Sequence, residues 1–114
     1  MKKLMIFGDS IIKGVTYNGQ SYHLCQEHDF DTLRAQGVTV ENNAKMGATI
    51  DAGLKQLDRK LGACDSDTTV LFCFGGNDCD YDWAAIAREP EKEHQPKTPL
   101  GLFTERLREM VKKT

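Results

Sequence analysis

The stretch "LMIFGDSIIKG", residues 4–14, sets the fold, because a run of apolar residues ends abruptly at Gly8-Asp9-Ser10 and a mixed segment follows at once. Such a run is typical of a buried strand, and the polar turn after it is typical of a strand-to-helix connection. Two interpretations of Ser10 compete. Either it caps the helix that follows, or the turn presents its hydroxyl as a nucleophile.

The composition indicates a soluble globular chain. Its 114 residues suit one domain or part of one, with 28% charged and 39% hydrophobic residues. The net charge of -2 argues against a nucleic-acid binder, which needs clustered Lys and Arg. Only four apolar residues follow the two N-terminal lysines, fewer than a signal peptide or a membrane span requires. The sequence therefore predicts a cytoplasmic protein with no membrane and no nucleic-acid partner.

The four cysteines, Cys25, Cys64, Cys73 and Cys79, form no C-x-x-C pair and no zinc-ligand spacing with a histidine. Reduced thiols and no metal site are expected, with Cys73 as a small core hydrophobe.

Three apolar runs predict strands at Lys3–Phe7, Val38–Glu41 and Thr69–Phe74. The third run does not alternate between apolar and polar residues, so both of its faces are expected to be covered, as in a parallel sheet with helices on both sides. Helical patterns lie between and after the strands. The order β-α-β-α-β-α predicts an α/β fold, with residues 1–114 as a single domain.

Local signals predict the helix ends. The longest pattern covers Ile50–Leu61, and Gly62 suits the position just after a helix. Thr98 and Pro99 are expected as the N-cap and first residue of the last helix. Asp80 is expected to cap a short helix that carries a tryptophan.

Polar or glycine residues follow each predicted strand. They are Gly8-Asp9-Ser10, the segment 42–47 that ends in Gly47, and Gly75-Gly76-Asn77-Asp78. In an open parallel sheet, ligands bind outside the carboxyl ends of the strands, so the three turns are expected to meet. They offer a hydroxyl, a backbone N–H and a side-chain amide, which are the groups that acyl transfer needs.

On these motifs the chain resembles the SGNH hydrolases, also called GDSL-type esterases and lipases. "FGDSIIKG" matches the first block of the family, Gly47 in "NNAKMGATI" the second, and "GGND" the third. The resemblance implies a flavodoxin-like three-layer α/β/α sandwich and an acylhydrolase that cleaves a small-molecule ester without a cofactor. It implies that Ser10 is the nucleophile. The oxyanion would be held by the backbone N–H groups of Ser10 and Gly47 and by the amide of Asn77.

One family block is missing. The family takes its general base from an Asp-x-x-His motif, and no Asp of this chain has a His three residues later. The resemblance therefore covers all 114 residues but only the front part of the family domain. Two hypotheses follow: a hydrolase whose 114-residue chain has little activity without the base, or a non-catalytic, ligand-binding remnant of the fold.

Two features keep further hypotheses open. His94 has Glu-x-x-His spacing from Glu91, so it is a candidate substitute base; the alternative is an exposed loop histidine, as expected also for His23 and His28. A phosphate-binding loop at Gly8 to Gly14 is a weaker alternative, because the segment lacks the glycine and hydroxyl density of such loops.

The third strand also raises the question of assembly. In the resembled family this strand is interior, flanked by the first strand and by a fourth. Without that fourth strand, Thr69–Phe74 would have an unpaired apolar edge, and such edges pair with other chains. We therefore expect that the 114-residue chain, if it is the whole polypeptide, self-associates through this strand or is only marginally folded.

Overall fold

A computed structural model describes residues 1–24 and 30–114. The predictions for Cys25 and His28 lie outside the described residues. Along the chain the elements are β1 (Lys3–Gly8), α1 (Ser10–Lys13), β2 (Val15–Tyr17), β3 (Tyr22–Leu24), α2 (Asp31–Ala35), β4 (Thr39–Asn42), α3 (Ile50–Lys60), a 3₁₀ turn (Leu61–Ala63), β5 (Thr68–Cys73), α4 (Trp83–Arg88) and α5 (Leu100–Lys113). Within these residues, no helix has the length and apolar character needed to cross a membrane.

The main sheet has three parallel strands in the order β4-β1-β5, which confirms the α/β class. All three predicted strands are present within one residue of their predicted bounds. The central position of β1 explains its uninterrupted apolar sequence, since helices or loops cover both of its faces. Among the described residues β5 pairs only with β1, so one of its edges is unpaired there. The self-association expected at that edge stays a prediction.

Two apolar clusters lie on opposite faces of the sheet. Met5 and Phe7 of β1 pack with α3 and α5, where Leu57 and Met110 are fully buried. Leu4 and Ile6 point the other way and pack against side chains of α1, α2 and β4. The alternation of side chains along β1 therefore divides the core into two halves.

The prediction that β5 is covered on both faces is wrong. Val70 and Phe72 pack on the face that carries α3 and α5. Leu71 points to the opposite face, beside Ile6, and 38% of it is exposed. The apolar residues packed on that face come from α1, α2, β4 and the residue before α2, which cover β1 and β4 but not the edge strand. Burial of an edge strand depends on tertiary neighbours, which the apolar run does not reveal. Cys73 at its end is likewise only half-buried, not a core residue.

Two predicted helix ends are also wrong. Gly62 does not adopt the left-handed conformation that terminates many helices, because the chain tightens after Lys60 into the 3₁₀ turn. The short helix α4 is capped by Asp82, whose Oδ1 accepts from the Ala85 N–H at 3.0 Å. Asp80 lies two residues earlier and accepts from the Tyr81 backbone N–H and the Trp83 indole N–H instead.

A small antiparallel hairpin, β2-β3, follows α1 and was not predicted. Its turn begins at Asn18, whose Oδ1 accepts from the Gln20 and Ser21 N–H groups at 2.9 Å each. Gly19 has a φ of 94°, which favours glycine. Asn-Gly between two short alternating segments is a strong hairpin signal, so the sequence did contain the information.

Candidate functional site

The first turn settles which residue caps α1. The Oδ1 of Asp9 accepts from the Ile11 N–H at 2.9 Å, so Asp9 is the N-cap and Ser10 is the first helical residue. The buried Asp9 also donates its own N–H to the Cys73 carbonyl at 3.3 Å, which ties the turn to the end of β5. The interpretation of Ser10 as a helix cap is therefore wrong. Its hydroxyl makes no hydrogen bond within the described residues.

The second turn is held against the end of β1. The Asn43 N–H donates to the Ile6 carbonyl at 2.7 Å, and the Lys45 N–H donates to the Gly8 carbonyl at 3.0 Å. Gly47 lies at the tip of the turn with a φ of 76°, and a Cβ there would meet no atom within 4 Å. Backbone conformation rather than space therefore favours glycine at this position.

The third turn contacts both of the others. A Cβ on Gly76 would lie 3.6 Å from the Asp9 carboxylate, so the backbone of this turn passes close beside the first turn. The Asn77 Nδ2 donates to the Ala48 carbonyl at 3.0 Å, next to Gly47. The three turns therefore meet at the carboxyl end of the sheet, as the sequence predicted.

Several hydrogen-bond donors in these turns are without partners in the described part of the chain. The backbone N–H groups of Ser10 and Gly47 make no hydrogen bond there. The amide of Asn77 has two N–H groups, and its contact with Ala48 occupies one while fixing the orientation of the other. Donors available to an acceptor are therefore present in all three turns.

Asp78 connects the third turn to two helices. Only 2% of the residue is exposed. Its carboxylate accepts from the Ile50 N–H at 3.0 and 3.2 Å, where α3 begins, and from the Thr98 hydroxyl at 2.6 Å. The positive end of the helix dipole favours the buried anion. The predicted N-cap role of Thr98 in α5 is therefore wrong: Pro99 is the N-cap, and the Thr98 hydroxyl is used by Asp78. No local signal marks a contact between residues so far apart in sequence.

Replacing Asp78 with asparagine is expected to destabilise the fold by about 2 kcal/mol, because hydrogen bonds to a buried charge become neutral ones. Chemical denaturation of the purified chain measures this. The matched control is Asp80→Asn, a half-exposed carboxylate in the following segment, for which a smaller loss is expected. Equal losses in the two variants would contradict the role given to Asp78.

The surroundings of Asp80 explain its electrostatics. The Trp83 indole N–H donates to its Oδ1 at 2.9 Å, as does the Tyr81 backbone N–H, and Lys97 is close by. These contacts hold the pKa of Asp80 below its usual range, chiefly through the indole. Asp80 is therefore an ionised structural group and not a candidate general acid.

The two described histidines, His23 and His94, form hydrogen bonds with groups other than Ser10. The His94 Nε2 is 2.8 Å from the Glu89 carbonyl, so the imidazole is bound within its own loop and not to the Glu91 carboxylate as its spacing suggested. His23 lies on the exposed hairpin with its Nε2 3.3 Å from the Thr16 hydroxyl. Neither ring makes a hydrogen bond with Ser10.

Two apolar cavities flank the turns. One, of about 290 Å³, lies between the third turn and the start of α5; it is lined by Gly75, Asp78, Cys79, Tyr81, Pro96, Thr98, Leu100 and Phe103. The other lies beside the β2-β3 hairpin, which was not among the predicted elements. Across residues 1–24 and 30–114, no three His, Cys, Asp or Glu side chains come together as metal ligands.

Comparisons of the chain with protein-family models, with curated proteins and with solved structures found no match.

Proposed function

We propose that this chain is an SGNH-type serine hydrolase that cleaves small-molecule esters in the cytoplasm, with a flavodoxin-like three-layer sandwich as its fold. Ser10 attacks the acyl carbonyl and loses its hydroxyl proton to solvent; the ester C–O bond then breaks, and the alcohol leaves with a proton from solvent. Water hydrolyses the resulting acyl-enzyme, which releases the carboxylic acid and restores the serine hydroxyl. The N–H groups of Ser10 and Gly47 and the amide of Asn77 stabilise the negative oxygen of the tetrahedral intermediate. No cofactor takes part in this scheme.

The observation that carries the proposal is that the three turns meet at one end of the sheet. Within the described residues, the N–H groups of Ser10 and Gly47 and one N–H of the Asn77 amide have no hydrogen-bond partner there. The close approach of the Gly76 backbone to Asp9 and the Asn77–Ala48 hydrogen bond support a common location for the predicted nucleophile and donors. Asp9 takes over the capping role, which leaves the Ser10 hydroxyl available.

A second candidate function is ligand binding without catalysis. It is favoured by the bonding of His94 to Glu89, since neither of the two described histidines is hydrogen-bonded to Ser10. The same donors would then bind a carboxylate or an ester oxygen reversibly.

Covalent labelling with a short alkyl fluorophosphonate tests the proposal. We expect one adduct after prolonged exposure, and peptide mapping should place it on Ser10, because the adjacent donors stabilise the phosphonyl oxygen. Ser66, exposed in a surface turn, is the internal control and should stay unmodified. An adduct on another residue, or none on folded protein, would contradict the hydrolase and favour the binding module.

A further inference from the structure

We propose that the apolar cavity beside the hairpin binds the hydrocarbon chain of the ester substrate, an inference that rests on the proposed function. This cavity, here called the hairpin groove, has a volume of about 240 Å³ and is lined by Lys13, Val15, Tyr22, His23, Leu24 and Met46. It lies between the small hairpin, α1 and the second turn.

The hairpin is amphipathic and turns its apolar face to the groove. Residues directly opposite each other in an antiparallel pair share a face, so Val15 and Leu24 point to the same side as the pair Tyr17 and Tyr22. The two tyrosine rings are in contact, with centroids 5.2 Å apart. Thr16 and its partner His23 occupy the alternate positions, and His23 also lines part of the groove. Three of the four residues on the apolar face line the groove.

These apolar side chains are exposed in the described structure. Tyr22 is 69% exposed, Leu24 is 49% exposed, and Met46 on the opposite side of the groove is 61% exposed. A folded chain leaves single apolar residues on its surface without consequence, but a group of them around one concave site is a feature of binding surfaces. Methionine and tyrosine also adapt to apolar ligands of different shape.

The position of the groove identifies its occupant. Met46 of the groove directly precedes Gly47, and Lys13 follows Ser10 by one turn on α1, so the groove adjoins the segments that carry the proposed nucleophile and one oxyanion donor. The other large apolar cavity contains no residue of the first or second turn. The volume of the hairpin groove suits an aliphatic chain rather than a protein segment, and four of its six lining residues are apolar. The substrate class is therefore an ester with a medium-length alkyl or acyl chain.

Methyl NMR of the full chain tests the groove directly, with octanoate as the probe and acetate as the matched short ligand. We expect the Met46 methyl signal to shift with octanoate and not with acetate, while the signal of Met110, buried between α3 and the sheet, stays in place. Leu24→Ser should weaken octanoate binding by roughly tenfold, because part of the apolar contact is lost. Leu100→Ser, in the other cavity, should leave it unchanged.

Met46→Ser changes a loop residue and leaves the hairpin sequence intact. Calorimetric titration of this variant with octanoate therefore tests the groove without a hairpin substitution, and we expect the same loss of affinity, roughly tenfold. A silent Met46 signal, or equal weakening by Leu100→Ser, overturns the groove even if Ser10 is labelled by the phosphonate. Octanoate binding in the groove without a Ser10 adduct supports the groove and overturns the hydrolase. A Met46 shift that follows protein concentration instead of octanoate overturns the proposal in favour of contact between two copies of the chain.

Discussion

Replacing Asn77 with alanine is expected to slow acyl transfer at Ser10 by about 10²–10³-fold, the usual effect of removing one oxyanion donor. The amide is already oriented by its 3.0 Å bond to the Ala48 carbonyl, so its second N–H needs no reorganisation when the oxygen becomes negative. The initial rate of p-nitrophenyl acetate hydrolysis, or the rate of phosphonylation, measures the loss. Because p-nitrophenolate leaves without needing a proton, the rate with this substrate depends mainly on how well the oxyanion donors stabilise the tetrahedral intermediate.

The design of this experiment separates chemistry from folding. Because Asn77 also holds the second turn, each variant is checked by thermal unfolding before its rate is interpreted. Gln95→Ala removes an exposed side-chain amide whose hydrogen bond is to Glu93, and it should leave the rate unchanged. A folded Asn77→Ala variant with the wild-type rate would remove this residue from the proposed site.

The parts of the fold that depend on local sequence were predictable. Apolar runs that end in Gly8 and Gly75 predicted β1 and β5, and the rule for parallel sheets predicted that their turns would meet. The turn residues carry this information themselves, since a left-handed glycine or a capping aspartate acts on its immediate neighbours. The hairpin could also have been predicted, because Asn18-Gly19 is a local turn signal between two short alternating segments.

The errors concern residues whose partners are distant in the chain. Thr98 has the local pattern of an N-cap, yet its hydroxyl binds Asp78, and a buried carboxylate with a short hydrogen bond outweighs a solvated cap. Leu71 belongs to an apolar run, yet no described helix covers its face. His94 has the spacing of a paired histidine, yet a backbone carbonyl occupies its ring nitrogen. Spacing along the chain predicts chemistry only where the fold brings the groups together.

Hydrolysis of an activated ester by the 114-residue chain is expected to stay near the level that oxyanion donors support alone, about 10³–10⁴-fold over water. A serine hydroxyl is a poor nucleophile without an adjacent base. The described residues place no imidazole in hydrogen-bonding contact with Ser10, and His94 is bound to Glu89. The rate should therefore keep rising with hydroxide concentration, whereas an imidazole base would give a plateau above its pKa of about 6.5.

Three single variants decide whether the chain contains a base. We expect the rate to be the same in His23→Ala, His28→Ala and His94→Ala as in the wild type, with no plateau in any pH profile. Suppose instead that the wild type shows a plateau near neutral pH. A variant that loses this plateau and whose rate falls by about 10²–10⁴-fold would identify the replaced histidine as the general base. For His94 this result would require the ring to leave the Glu89 carbonyl and approach Ser10. A plateau that survives each of the three substitutions would instead favour a base other than histidine, because no single imidazole would then be required for it.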